Sequence, residues 1–285
     1  MRDWLNLLKE TASCWSAHKA PKMGAALAYY TVFSLAPLVI LVLSIVSIFY
    51  ERDAARAQLV REASSFIGSQ GAEIIDGILK QGAQNGTNRW SAVIGFLVVL
   101  FGASGAFAEL QDSLNHIWGV KERTGRAFWI KIKDRLLSFS MIFVIGFLLL
   151  VSLLISAAIA AADKYMSGVL PGADMIWQVG NIIIPLAITT ILFATIFKVL
   201  PDVRIAWRDV WVGGFLTATL FTVGKLLLGF YLGRSAIGSS FGAAGSLIVV
   251  LAWVYYSSQI LFFGAEFTRV YAERHGTHHG KRREE

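Results

Sequence analysis

The stretch Val210-Trp-Val-Gly-Gly-Phe-Leu-Thr-Ala-Thr-Leu-Phe-Thr-Val-Gly-Lys225-Leu-Leu-Leu-Gly-Phe-Tyr-Leu-Gly233 decides the class of this chain, and Lys225 is its one charged residue. A lysine near the middle of a membrane span costs at least about 2.5–3.5 kcal/mol on insertion scales, so it marks a place where water, a partner or a substrate meets it. The stretch predicts a membrane helix that carries a functional lysine. Snorkelling of Lys225 toward the outer end of its span is the competing reading.

Outward from this segment, further charge-free runs cover 23–50, 90–108, 136–162, 175–197 and 235–265. Each is long enough to cross a bilayer as a helix, which takes about 20 residues. Alternating strands of a β-barrel are not seen in the sequence. The whole chain of 285 residues is 55% apolar and 16% charged, against roughly 25% charged in a soluble domain. The sequence thus predicts an all-α integral membrane protein with six transmembrane helices.

The net charge of +7 is explained by topology rather than by nucleic acid. With both termini cytoplasmic, 18 of the 26 Lys and Arg residues fall on the inner side and 7 on the outer side, leaving Lys225 within the membrane. That bias sets the orientation under the positive-inside rule. The segment from Arg126 to Lys133 mixes aromatic and cationic residues, which suits the headgroup level beside a span. Cys14 is the one cysteine, so no intrachain disulfide forms.

The expected organisation is an interfacial amphipathic helix over 1–22, a single six-helix domain over 23–267, and a charged, disordered cytoplasmic tail over 268–285. Trp4, Leu7, Leu8, Thr11 and Trp15 recur at helical spacing in the first segment. The outer insertion, 51–89, carries two apolar clusters, Leu59 to Ile67 and Ile74 to Leu79, which predict two short amphipathic helices. A cytoplasmic loop is expected over 109–135. Pro37 and Pro185 interrupt the first and fourth spans at comparable depth, as in a 3+3 inverted repeat, where paired interruptions point toward a substrate site.

Three helix faces carry the candidate substrate pathway. Stepping by three or four residues aligns Gly214, Ala218, Thr222, Lys225, Gly229 and Gly233 into a small, polar stripe that is expected to face the bundle. The last span aligns Tyr256, Gln259 and Glu266, and the first aligns Tyr30, Ser34 and Pro37. Glu266 has a second reading as a helix-end residue paired with Arg269, three positions on.

Catalytic patterns are weak. Glu109, Asp112 and His116 share a helical face and are the residue types of a metal site, but a solvated helix end accounts for them better. His275, His278 and His279 are a similar weak hint in the tail. The sequence carries no phosphate-cradling glycine loop, nucleophile elbow or cysteine-pair zinc pattern, and so calls for no cofactor.

The run Ala25 to Pro37, the segment Glu109-Leu-Gln-Asp-Ser-Leu-Asn-His-Ile-Trp-Gly119, and Gly242-Ala-Ala-Gly-Ser through Gly264-Ala-Glu266 resemble the YihY/BrkB family of bacterial inner-membrane proteins. Phe241 departs from the tyrosine usual there. The resemblance implies six spans in the bacterial cytoplasmic membrane. It also implies a role at the envelope: members are described as virulence factors tied to serum resistance, and one is linked to export of a lipopolysaccharide precursor. An older label, ribonuclease BN, gains no support from these residues.

The combined expectation is a transporter or exporter of a lipid-linked or anionic amphiphile, with no enzyme activity. Its expected partners are membrane lipids, including an anionic lipid or lipopolysaccharide precursor, and no nucleic acid; a homo-oligomer is compatible with the sequence. An ion or small-solute channel or antiporter is the first alternative, and a non-transporting envelope scaffold the second.

Overall fold

The computed structural model describes residues 2–47, 51–84, 105–120, 174–234 and 243–276, and no strand occurs among them. The helices are α1 (Arg2–Ala17), α2 (Ala20–Val46), α3 (Arg52–Gln84), α4 (105–117), α5 (Asp174–Val199), α6 (Trp207–Arg234) and α7 (Ala243–His275). The spans expected at 90–108 and 136–162 lie outside the described residues, apart from the helical end of the former. Within the described residues, Trp207–Leu227 and Leu247–His275 are long and apolar enough to cross a membrane, and Ile183–Val199 is a shorter apolar helix.

The polar atoms of these helices are handled as an apolar surrounding demands. The hydroxyls of Thr190, Thr195, Thr217, Thr219, Thr222, Ser258 and Thr268 each donate to the carbonyl four residues earlier, at 2.6–2.9 Å. A hydroxyl closed onto its own helix needs no partner from lipid. Pro185 sits inside α5 without ending it and is exposed.

α7 is the helix on which the others converge, packing against α1, α2, α3, α5 and α6. Small residues set these distances. A Cβ at Gly214 would lie 3.0 Å from the Thr190 carbonyl oxygen and the Ala194 nitrogen, so α5 and α6 touch backbone to backbone there. Around that approach Phe193, Phe197, Val210, Ala218 and Phe262 form one core with Leu110, Leu114 and Ile117 of α4. Asn115 ties α4 to the α5–α6 connection: its Nδ2 donates to Asp202 Oδ2 at 3.1 Å, and Asp202 N donates to its Oδ1 at 2.8 Å.

Three expectations change here. The insertion expected on the outer side is one 33-residue helix, α3, rather than two short ones. Ala55, Leu59, Val60 and Ala63, then Ile74, Ile75 and Leu79, pack on Val32, Leu35, Val39 and Leu43 of α2 and on Val250, Trp253 and Val254 of α7. That long apolar support carries the helix through Gly68 and Gly71, which weaken it locally. The tail also begins later than 268, because α7 continues to His275: Val270 and Ala272 are fully buried, and Leu7 of α1 packs on Phe267 and Val270. Finally, α2 starts at Ala20, after a two-residue corner in which Lys19 adopts a φ of 55°.

Candidate functional site: the seam between α2 and α7

α2 and α7 run antiparallel, and the seam between them changes character along its length. Near its middle is an open apolar groove of about 340 Å³, lined by Ala25 and Ala28 of α2 and Ile248, Leu251, Ala252 and Tyr255 of α7. Small side chains hollow it, and the exposed rings of Tyr29 and Phe33 flank it on α2. Lys22, one turn before Ala25, is exposed at the end nearer the α1–α2 corner.

The groove closes toward that corner where Gln259 and Ser258 meet Gly24; a Cβ at Gly24 would lie 3.2 Å from the Gln259 side-chain carbonyl carbon. Both polar atoms of the Gln259 amide are enclosed and have no hydrogen-bond partner among the described residues. Leaving a buried polar atom unpaired costs about 1–3 kcal/mol, so such an amide is a place for a polar occupant.

Seven residues further, on the same face of α7 and about 10 Å along its axis, Glu266 is completely buried. His18 Nδ1 lies 2.5 Å from its Oε1. Arg269 reaches its Oε2 through Nη2 at 3.1 Å and Nε at 3.2 Å, and extends Nη1 to Glu273 at 2.8 Å. The i,i+3 pairing with Arg269 is the one the spacing predicts. The link to His18, 248 positions away, has no local signal and was invisible in the sequence, as was the part played by Gly24.

The remaining expected site residues are placed as follows. Tyr256 leans on Gly224, where a Cβ would fall 2.9 Å from the Tyr256 Cζ, so half-buried Lys225 and Tyr256 lie at one level of the α6–α7 contact. Thr222 is exposed, which corrects the stripe expected to face the bundle. The inward face of α6 runs instead through Val210, Gly213, Gly214, Thr217, Ala218 and Gly224; of the expected stripe, Gly214 and Ala218 fall on it, and the burial of Gly229 and Gly233 lies outside what is described. Tyr30 is exposed and lies beside Gly105 of α4. Ser34 is buried and donates to the Thr31 carbonyl at 3.0 Å. Pro37 lies within α2, and its side chain is outside the described residues.

Glu109 of α4 is partly buried, and this burial, reinforced by nearby Asp112, pushes its carboxyl above the ordinary range. Asp112 and His116 are exposed, and no group of three metal-ligating side chains occurs among the described residues.

The sequence profile of the family described as virulence factor BrkB matches residues 11–285. A UPF0761 membrane protein of Teredinibacter turnerae is 28% identical over 94% of this chain and 61% of its own length. Another from Saccharophagus degradans is 29% identical over 92% of this chain and 58% of its own. A Bacillus subtilis protein named ribonuclease-like protein YfkH is 23% identical over 95% of this chain and 96% of its own length. The chain therefore spans about three fifths of the first two relatives and nearly all of the third. No solved structure matches. Apolar helices that close their hydroxyls on themselves agree with the relatives' printed description, and the chain belongs to the virulence factor BrkB family of membrane proteins.

Proposed function

We propose that this protein moves an anionic amphiphile across the bacterial cytoplasmic membrane, with both termini on the cytoplasmic side and no covalent chemistry of its own. The observation that carries the reading is the grading of the α2–α7 seam. An apolar groove lined by Ala25, Ala28 and Ala252 leads to the enclosed amide of Gln259, which has no hydrogen-bond partner among the described residues, with exposed Lys22 just beyond it toward the α1–α2 corner. An acyl chain fits the first part, and a phosphate or carboxylate headgroup suits a lysine and an amide donor at the second. Lys225, at the level of Tyr256, would meet the headgroup further along the route.

Lipids retained by the purified protein in nanodiscs, identified by native mass spectrometry, test this reading. Wild type should retain an anionic lipid selectively, while Lys22→Glu and Ala25→Trp should lose that selectivity. Ala25 is exposed in the groove, so the larger ring can enter without displacing the core. Identical, unselective lipid in all three proteins would overturn the proposal.

A second reading, an ion or small-solute carrier, is favoured by Gln259 alone, since water or a hydrated ion also satisfies an unpaired amide. Solute-dependent current without any lipid preference would select it. The name of the Bacillus subtilis relative raises ribonuclease activity as a further alternative; metal-dependent RNA cleavage lost in Asp112→Ala would be its signature.

A further inference from the structure

A separate cavity, of about 310 Å³, lies where the start of α1 crosses the end of α7, and Asp3, Trp4, Leu7, Tyr271 and His275 line it. Asp3, Trp4 and Leu7 share one face of α1, and steps of four along α7 put Phe267, Tyr271 and His275 on one face there. The three α7 rings stack as a ladder, Phe267 on Tyr271 at 6.2 Å and 19°, and Tyr271 on His275 at 5.4 Å and 29°. The Trp4 indole lies nearly parallel to this ladder, its centroid 6.4 Å from that of Phe267 and 6.5 Å from that of Tyr271. Leu7 and Phe267 are buried while Trp4 is 56% exposed, so the site grades from core to water.

This lining has the chemistry of a cation site. The face of an aromatic ring attracts a cation held over it, and aromatic cages recognise quaternary ammonium groups in this way. Asp3 adds a carboxylate, and His275 is the last residue of α7, where a helix end carries partial negative charge. The start of α1 brings partial positive charge to the same place, which the Asp3 carboxylate in its first turn counters. In a chain of net charge +7, no lysine or arginine lines the cavity among the described residues. The neighbouring arginines of α7 turn to carboxylates elsewhere, Arg269 to Glu266 and Glu273, and Arg274 to Glu10. The volume is at the lower end of the roughly 300–1,000 Å³ of small-molecule pockets, so it suits a headgroup-sized ligand and not a whole lipid. A tryptophan that only anchors α1 at the membrane surface would need neither the carboxylate nor the ladder.

We propose that Asp3, Trp4, Tyr271 and His275 bind an alkylammonium cation, with the ammonium against the Trp4 and Tyr271 rings and its charge met by Asp3. The head of an aminophospholipid and a free amine share this chemistry. The site is separate from the α2–α7 groove, and the inference stands whatever the seam carries.

Choline is the probe, titrated onto the intact protein in phosphatidylglycerol nanodiscs and read by saturation-transfer difference NMR, with the signal of empty nanodiscs subtracted. The uncharged tert-butyl analogue of choline, which has the same shape, is titrated alongside. Wild type should bind choline and not the analogue. Trp4→Leu should weaken choline binding by about five-fold or more. Asp3→Asn should also weaken it, and Trp4→Phe, which keeps an aromatic face, should do so less than Trp4→Leu. Asp3 and Trp4 are both exposed, so these changes leave the core packed. Phosphatidylethanolamine added to the nanodiscs identifies the source: competition with choline assigns the site to a lipid headgroup, and an unaltered choline signal assigns it to a free amine. Equal binding of choline and its uncharged analogue, no binding of either, or choline binding unchanged in both Trp4→Leu and Asp3→Asn would overturn the proposal.

Discussion

Thr268 of α7 stands over Gly213 of α6, where a Cβ at position 213 would lie 2.9 Å from the Thr268 Cβ. The relationship is reciprocal, since Thr217 of α6 stands at the same distance over Gly264 of α7. Each threonine closes its hydroxyl on the opposed glycine's counterpart in its own helix, Thr217 to Gly213 and Thr268 to Gly264. Two helices thus cross through interlocked Gly-x-x-x-Thr segments, with both threonine hydroxyls closed within their own helices.

Gly213→Ala should therefore lower stability by about 1–3 kcal/mol, the usual cost of overpacking. Thr268→Gly introduced with it removes the opposing Cβ and should recover part of that loss. Thermal unfolding in detergent of the single and double variants gives the coupling; additive losses would mean that the two positions do not meet.

Removing Arg269 should be among the most damaging single changes around Glu266. Arg269→Met strands the buried Glu266 carboxylate, a change that costs roughly 3–5 kcal/mol in comparable sites. Arg269→Met with Glu266→Gln should be milder than the single variant. Denaturation midpoints of both variants check the sign of this interaction.

Asp76 on α3 is held below its ordinary carboxyl value of 3.8, first by its hydrogen bond to Lys80 and then by that to Arg56. A lowered carboxyl contributes stability that is present above its unfolded value and lost as pH falls through the folded one. The pair is solvent-accessible, so Asp76→Asn should cost less than about 1 kcal/mol at pH 7. The difference from wild type should shrink to nothing as pH falls below 3.8, read as the gap between their thermal midpoints.

Lys19→Gly should leave stability unchanged or raise it by up to about 1 kcal/mol, since glycine adopts a φ of 55° without a Cβ clash. Lys19→Val should lower it. Thermal midpoints of the two variants should therefore move in opposite directions or differ clearly.

The helical class and the membrane location were legible because long charge-free runs have few alternatives. Glu266 and Arg269 were legible as a pair because three residues along a helix is a local relation. The continuity of α3 was not, because Gly68 and Gly71 break the local pattern and only packing on α2 and α7 restores it. Thr222 was misplaced for a related reason: steps of three or four from Lys225 define a stripe but not which stripe faces inward, and Gly213, Thr217 and Gly224 win that face by packing on α7. His18 escaped notice because its partner is distant in sequence, and the unpaired amide of Gln259 is visible only once Gly24 lies against it.

The most direct measurement of the central claim is translocation in proteoliposomes, following dithionite quenching of fluorescent phosphatidylglycerol beside its zwitterionic phosphatidylcholine counterpart. The α2–α7 seam predicts protein-dependent movement that favours the anionic lipid and is lost in Ala25→Trp and weakened in Lys22→Glu. Movement that is absent, indifferent to headgroup charge, or unchanged when the groove is filled would contradict it.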